Sequence, residues 1–274
     1  MRIYHSQRAR RMISRRTVAG LSAFGLLGAT AVLAASCSDD TTGVDSQPVT
    51  EFGTPVTIGD GTARSYIVMQ DGKPTELGIA LSEAAAEGLP TQATMMGYEY
   101  LLPLPATNPT QFQIVAVNWN PTGHPPPMVY TVPHFDFHFY MMSLADRNAI
   151  VASDPAFATK AANVPGEPFR QPGYVADPPE AAVPMMGLHW TDPAAPEFHG
   201  EPFTRTYITG SWNGQLTFFE PMVTREYLLS HPNDSIPVGS AAQRAIPGFY
   251  PTAYRVRWDA ANEEWQIALS NLVQ

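Results

Sequence analysis

The sequence predicts a mainly β chain, a barrel or sandwich of antiparallel strands with a few short peripheral helices. Three observations carry this. The 274 residues include 27 prolines, too many for a helical bundle and suited to short strands joined by stiff turns. Two pairs of apolar segments are joined by Asp-Gly or Asn-Gly, the dipeptides of tight hairpins. The run His134 to Tyr140, HFDFHFY, alternates strictly, so its aromatic and polar side chains take opposite faces of a strand.

In chain order, residues 1–37 come first and contain six arginines and no acid. Ser14-Arg15-Arg16-Thr17-Val18 follows the twin-arginine pattern, and an apolar run from Val18 to Ala35 follows it. A positive segment before a moderately apolar one is the physical form of an export signal. Met12 would also start a complete signal. A single-helix anchor is the competing interpretation, since about 20 apolar residues span a bilayer. Leu33-Ala34-Ala35-Ser36-Cys37 ends the run like a lipobox, with Ala34 where Leu is usual. Two outcomes are open: a lipidated Cys37 that anchors the protein to a membrane, or cleavage nearby and a periplasmic or secreted protein. Both are extracytoplasmic. Cys37 is the only cysteine, so no disulfide forms within the chain.

Residues 38–60 read as a flexible tether, and 61–274 as a single β-rich domain, with an irregular insertion at 153–186. Six of the 16 basic residues lie in the signal, leaving ten against 25 acids, a net charge near −15 for the remainder. That balance argues against nucleic-acid binding, which needs clustered Lys and Arg.

Within the domain, Ser65–Gln70, the Asp71-Gly72 turn and Thr75–Leu81 form a hairpin. Ser82–Glu87 is a short capped helix ending at Gly88. Tyr98–Leu104 and Gln111–Trp119 are apolar strands, and 121–127, PTGHPPP, is a stiff loop. Met128–Met142 is extended, and Ser143 opens a second short helix with a capping-box-like pattern. The Pro-, Ala- and Gly-rich stretch 153–186 is a cover or a flexible insertion. Phe203–Trp212, Asn213-Gly214 and Gln215–Glu220 make the clearest hairpin, Thr224 opens a third helix, and Tyr254–Trp258 with Trp265–Leu269 closes the chain. Strand, Ser or Thr, then two helical turns recurs near residues 82, 143 and 224, a slight internal repetition.

The candidate chemistry sits on HFDFHFY. Phe135, Phe137 and Phe139 suit a sheet's core face, and His134, Asp136, His138 and Tyr140 then face water or a second enclosed space. Residues two apart on a strand are about 6.7 Å apart, and four apart about 13 Å. His134 with Asp136, or Asp136 with His138, can share an ion. His134 with His138 needs a bulge, so further ligands come from neighbouring strands. His189, between apolar residues in Gly187-Leu188-His189-Trp190-Thr191-Asp192-Pro193, and Glu220, the lone carboxylate ending an apolar strand, are the candidates. A buried Glu220 needs a cation or hydrogen-bond donors. His134, Asp136, His138, His189 and Glu220 together suit a divalent transition metal, with Asp136 as ligand or as orienter of an imidazole and Tyr140 as a cofactor-binding side chain. The competing view makes this a polar face at a subunit contact. His124, His199 and His231 lie in Pro- or Gly-rich loops and read as surface or turn residues. No nucleophile elbow, phosphate-cradling loop or dinucleotide fingerprint is present.

HFDFHFY, LHWTDP and a Trp-Asn-Gly hairpin running into FFEPM resemble a family of uncharacterised exported bacterial proteins, a domain of unknown function, over roughly residues 60–235. The resemblance implies an exported, β-rich protein with no assigned activity, and self-association is an expectation that comes with it. His-x-Asp-x-His on a strand is also loosely similar to a cupin site, but cupins place His-x-His with a glutamate close behind. Three functions follow as expectations: a divalent-metal protein, a lipocalin-like carrier of an apolar ligand whose aromatics line a cavity, or a self-associating surface protein.

Overall fold

A computed structural model describes residues 47–94 and 96–274. The export signal, the lipobox-like end and Cys37 lie outside the described residues. Among the described residues fourteen strands follow one another in chain order. The first four are β1 (Val49–Phe52), β2 (Val56–Ile58), β3 (Gly61–Gln70) and β4 (Lys73–Ser82). Then come β5 (Tyr98–Leu102), β6 (Ile114–Asn120), β7 (His134–Tyr140), β8 (Val175–Ala176), β9 (Leu188–Thr191), β10 (Arg205–Trp212) and β11 (Gln215–Thr224). The last are β12 (Asn233–Pro237), β13 (Ala253–Asp259) and β14 (Glu264–Ser270).

They form two seven-stranded antiparallel sheets. The first runs β1-β3-β4-β14-β13-β12, with β2 beside β3, and the second runs β5-β6-β7-β11-β10-β9-β8. The sheets stack as an open sandwich, so of the two expected architectures the barrel is not formed. The strands β1 and β2 fall within residues 38–60, where polar composition alone suggests a tether. Backbone pairing with β3 holds them there, with Val49 and Phe52 exposed.

One apolar layer fills the space between the sheets. Phe135, Phe137 and Phe139 are fully buried in it, with Val115, Val117, Trp119 and Phe219 of the second sheet and Ile67, Leu77, Ile79, Trp265 and Ile267 of the first. Trp119 meets Phe135 at 4.7 Å between ring centroids, and Phe112 meets Phe139 edge-on at 6.3 Å. The aromatic stripe is therefore solid core and not the wall of a ligand cavity, contrary to the carrier expectation.

Among the described residues three helices are short, and two of them follow strand ends. Ser143 caps α1 (Leu144–Asn148) by accepting from the Asp146 N–H at 3.1 Å. A second helix, α2 (Phe157–Ala162), lies inside the 153–186 stretch. Thr224 caps α3 (Arg225–Leu229) by accepting from the Tyr227 N–H. At Ser82 the outcome differs: Glu83–Ala86 is a single 3₁₀ turn, and the Ser82 hydroxyl accepts from Thr62 N–H across the sheet.

Candidate metal centre

β7 is central in the second sheet, between β6 and β11. Its polar side faces away from the sandwich core, yet His134, His138 and Tyr140 are 0% exposed and Asp136 only 4%. A third layer of loops encloses it. Tyr130 and Phe203 pack there with Ile208 and Met222 over the His134 end, and Met186 packs with Ile114, Ala116, Tyr140 and Phe218 at the other end. Met186 ends the 153–186 stretch, which thus acts as a cover.

Strand register places the ligands. β7 pairs with β6 without a break from Ile114–Tyr140 to Asn120–His134. Across β11, Phe219 pairs with Phe139 and Met222 with Asp136 in one continuous register, so Glu220 stands opposite His138. Two strands farther on, His189 of β9 pairs with Gly210 of β10, which pairs with Phe218 of β11. Gly210 has no side chain, and the Phe218 ring occupies its place, with His138 and His189 at 5.1 and 5.4 Å from that ring.

The result is two compact groups: His138, His189 and Glu220 in one, and His124, His134 and Asp136 in the other. Within each, one donor atom per residue lies within 4.8 Å of the others. The expectation of one shared point is corrected to two. The physical reason is the regularity of β7: an unbroken strand keeps residues four apart about 13 Å from one another.

In the first group His138 Nε2 is 3.2 Å and His189 Nε2 3.9 Å from Glu220 Oε2. Two donors bound at about 2.1 Å to one tetrahedral ion stand about 3.4 Å apart, so both separations fit a shared ion. Burial pulls the His138 imidazole down to about 4. Burial and the neighbouring His138 bring His189 to about 3. Both are therefore neutral and carry the lone pairs a metal needs. Burial, then Asp136, raises the Glu220 carboxyl well above the usual range. His138 Nδ1 and Nε2 and Glu220 Oε2 are buried without a hydrogen bond. The 3.2 Å separation is hydrogen-bond length, but the two atoms are not aligned for a hydrogen bond.

In the second group the histidine tautomers are set by backbone. A carbonyl can only accept, so His134 Nδ1–H donates to Val132 O and His124 Nδ1–H to Pro125 O, each at 2.7 Å. Each Nε2 then faces Asp136, at 3.1 Å from His134 and 3.7 Å from His124. Asn120 Nδ2 donates to Asp136 Oδ2 at 2.7 Å. Burial raises the Asp136 carboxyl, but His134 and His124 outweigh this and hold it far below the usual range. Burial lowers the His124 imidazole, and Asp136 outweighs it to bring it up to about 9.

Tyr140, expected to bind a cofactor, stacks on His138 at 5.2 Å with planes 6° apart and has no hydrogen bond on its hydroxyl. The Arg147 guanidinium lies 4.8 Å from the centre of the Tyr140 ring and pairs with Glu99. Tyr140 thus holds the imidazole plane. His124, expected from its Pro- and Gly-rich loop to be a surface or turn residue, is folded back over the start of β7 by its own N–H to Tyr130 O at 3.1 Å. The available signal was its place in a proline-stiffened loop ten residues before His134. Asp177 was also missed. Its N–H donates to His189 O at 2.9 Å, and its carboxyl is raised by burial and drawn down by His124. His199 and His231 belong to neither group.

A family model described as TTHB210-like, a hypothetical protein, matches residues 70–119. The span runs from the end of β3 to β6, so HFDFHFY and LHWTDP lie outside it. No curated protein and no solved structure matches the chain.

Proposed function

We propose that this chain is an exported β-sandwich protein that binds a divalent transition-metal ion through His138, His189 and Glu220. The carrying observation is that three fully or largely buried donors converge while three of their atoms lack any hydrogen bond. Leaving a buried carboxylate and imidazole unsatisfied costs several kcal/mol by the usual ~1–3 kcal/mol per group, and one cation held by His138 Nε2 and Glu220 Oε2 would remove that cost for those two atoms. Two imidazoles and a carboxylate are the donor set of open zinc and non-haem iron sites. Three protein ligands leave positions for water or a substrate, and the His189 side chain, 15% exposed, marks the solvent side. A bound ion of this kind supplies Lewis acidity or an activated water.

The export assignment rests on Ser14–Val18 and the apolar run after it, and the membrane anchor on Cys37. Twin-arginine export suits a domain that folds around its metal before crossing a membrane. No described helix is long and apolar enough to cross a membrane.

The test is metal analysis of protein purified without a histidine tag. A stoichiometric transition metal in the native chain, lost in His189→Gln with the fold intact by circular dichroism, is the expected result. Protein that stays metal-free after equilibration with Zn(II) or Fe(II) would end the proposal.

A further inference from the structure

We propose that His124, His134 and Asp136 hold a second divalent ion, so that the enclosed face of the second sheet carries two ions side by side. The inference deepens the proposed function and rests on it only for the neighbouring ion.

His134 Nε2 and Asp136 Oδ1 are buried, 3.1 Å apart, and neither has a hydrogen bond. The two atoms lie within ion-pair distance but are not aligned for a hydrogen bond with each other, and one donor atom from each of His124, His134 and Asp136 lies within 4.8 Å of the others. Both imidazoles also donate Nδ1–H to a backbone carbonyl. That is the arrangement that fixes a metal-binding imidazole with its Nε2 lone pair forward. The carboxylate is held in turn by Asn120. Of the three donors only His124 reaches solvent, with its side chain 33% exposed.

The surroundings are aromatic: Phe203 meets His134 edge-on at 5.4 Å, and Tyr130 meets His124 at 5.9 Å. A metal would place one charge within reach of all three donors. The donor set of two nitrogens and one oxygen, with no thiolate, selects a first-row divalent ion of the zinc, iron or manganese kind. Asp136 and His138 are two apart on one strand face, about 6.7 Å between their Cα atoms, so the two sites are immediate neighbours and each belongs to a different set of loops.

Cobalt(II) titration of the chelator-stripped full chain, followed by its visible spectrum and by metal content after gel filtration, decides the matter. The wild type is expected to take two equivalents. His124→Gln, at a partly exposed position, and His189→Gln are each expected to retain one, with distinct spectra, and the double variant none. Circular dichroism of each variant controls for folding, and Asn120→Ala, which leaves all six donors in place, should weaken one equivalent about tenfold or more. One equivalent lost in His189→Gln and kept in His124→Gln overturns the second ion and leaves the first. One equivalent with the reverse pattern keeps the His124 site and overturns the function proposed above. One equivalent lost in both variants means a single shared ion and overturns the inference, and none overturns both.

Discussion

At Glu220 a single carboxyl is asked to be two different things. Without a cation its burial raises its pKa well above the ordinary value, so the folded state keeps a proton that the unfolded chain releases near pH 4.5. The stability of metal-free protein therefore falls as pH rises from about 4.5 through the folded value. His138 and His189 act in the opposite direction. Their folded values of about 4 and about 3 lie below the ordinary 6.5, so stability is lost as pH falls from about 6.5 toward those values. Glu220→Gln removes the first dependence and not the second, because an amide cannot ionise. Denaturant melts of the chelated variant should show it more stable than chelated wild type at pH 8, by ~1–3 kcal/mol, with the acid-side loss unchanged. The same variant should gain nothing from added Zn(II) at this site. A chelated variant less stable than wild type at pH 8 would show that Glu220 is satisfied by protein groups alone.

At the scale of the element, β10 is the least conspicuous strand and one of the most consequential. It contributes no ligand, and its Gly210 lets Phe218 lie across it between His138 and His189. A Cβ at Gly210 would come within 1.9 Å of the Phe218 ring. Gly210→Ala should tilt that ring, spread the two imidazoles and lower cobalt affinity at His138, His189 and Glu220 by tenfold or more. The titration should leave the His124 site unchanged. Equal loss at both sites would indicate general loosening of the sheet. Such a position is invisible to pattern reading, because a glycine in a strand carries no polarity. Strand alternation did expose the Phe135, Phe137 and Phe139 core and the opposing polar face, since period two is a local property. It also gave Glu220 and His189 as partners, since polar residues in apolar runs need a reason. What local pattern could not supply was which histidine meets which acid. That depends on the register of β11 against β7, between residues 78 to 90 apart in sequence, on the register of β9 against β10, between residues 19 to 23 apart, and on the fold-back of loop 121–133, which made His124 a partner of His134.

Across the whole molecule, structure and chemistry occupy different layers. The chain builds β1–β4 in the first sheet, crosses to lay down β5–β11 in the second, and returns for β12–β14, where β14 zips onto β4 from Glu264–Ser82 to Ser270–Glu76. The core between the sheets is filled from both sides and includes none of the six donors. Ions at the two proposed sites would therefore tie β7, β9, β11 and loop 121–133 to one another without standing between the sheets. This sets the expected response to metal removal. A ligand at 100 times its Kd stabilises the folded state by ~2.7 kcal/mol. In a chain with about 230 described residues, each kcal/mol moves Tm by roughly 2–4 °C, so chelation should lower Tm by roughly 5–10 °C per ion. Far-UV circular dichroism at 25 °C should stay that of a β protein, because apolar burial between the sheets is untouched. Calorimetry of the native chain before and after dialysis against a chelator measures the shift. Complete unfolding on chelation would mean that the sandwich depends on its metals as zinc fingers do, and an unchanged Tm would mean that the donors are not holding ions in the native state.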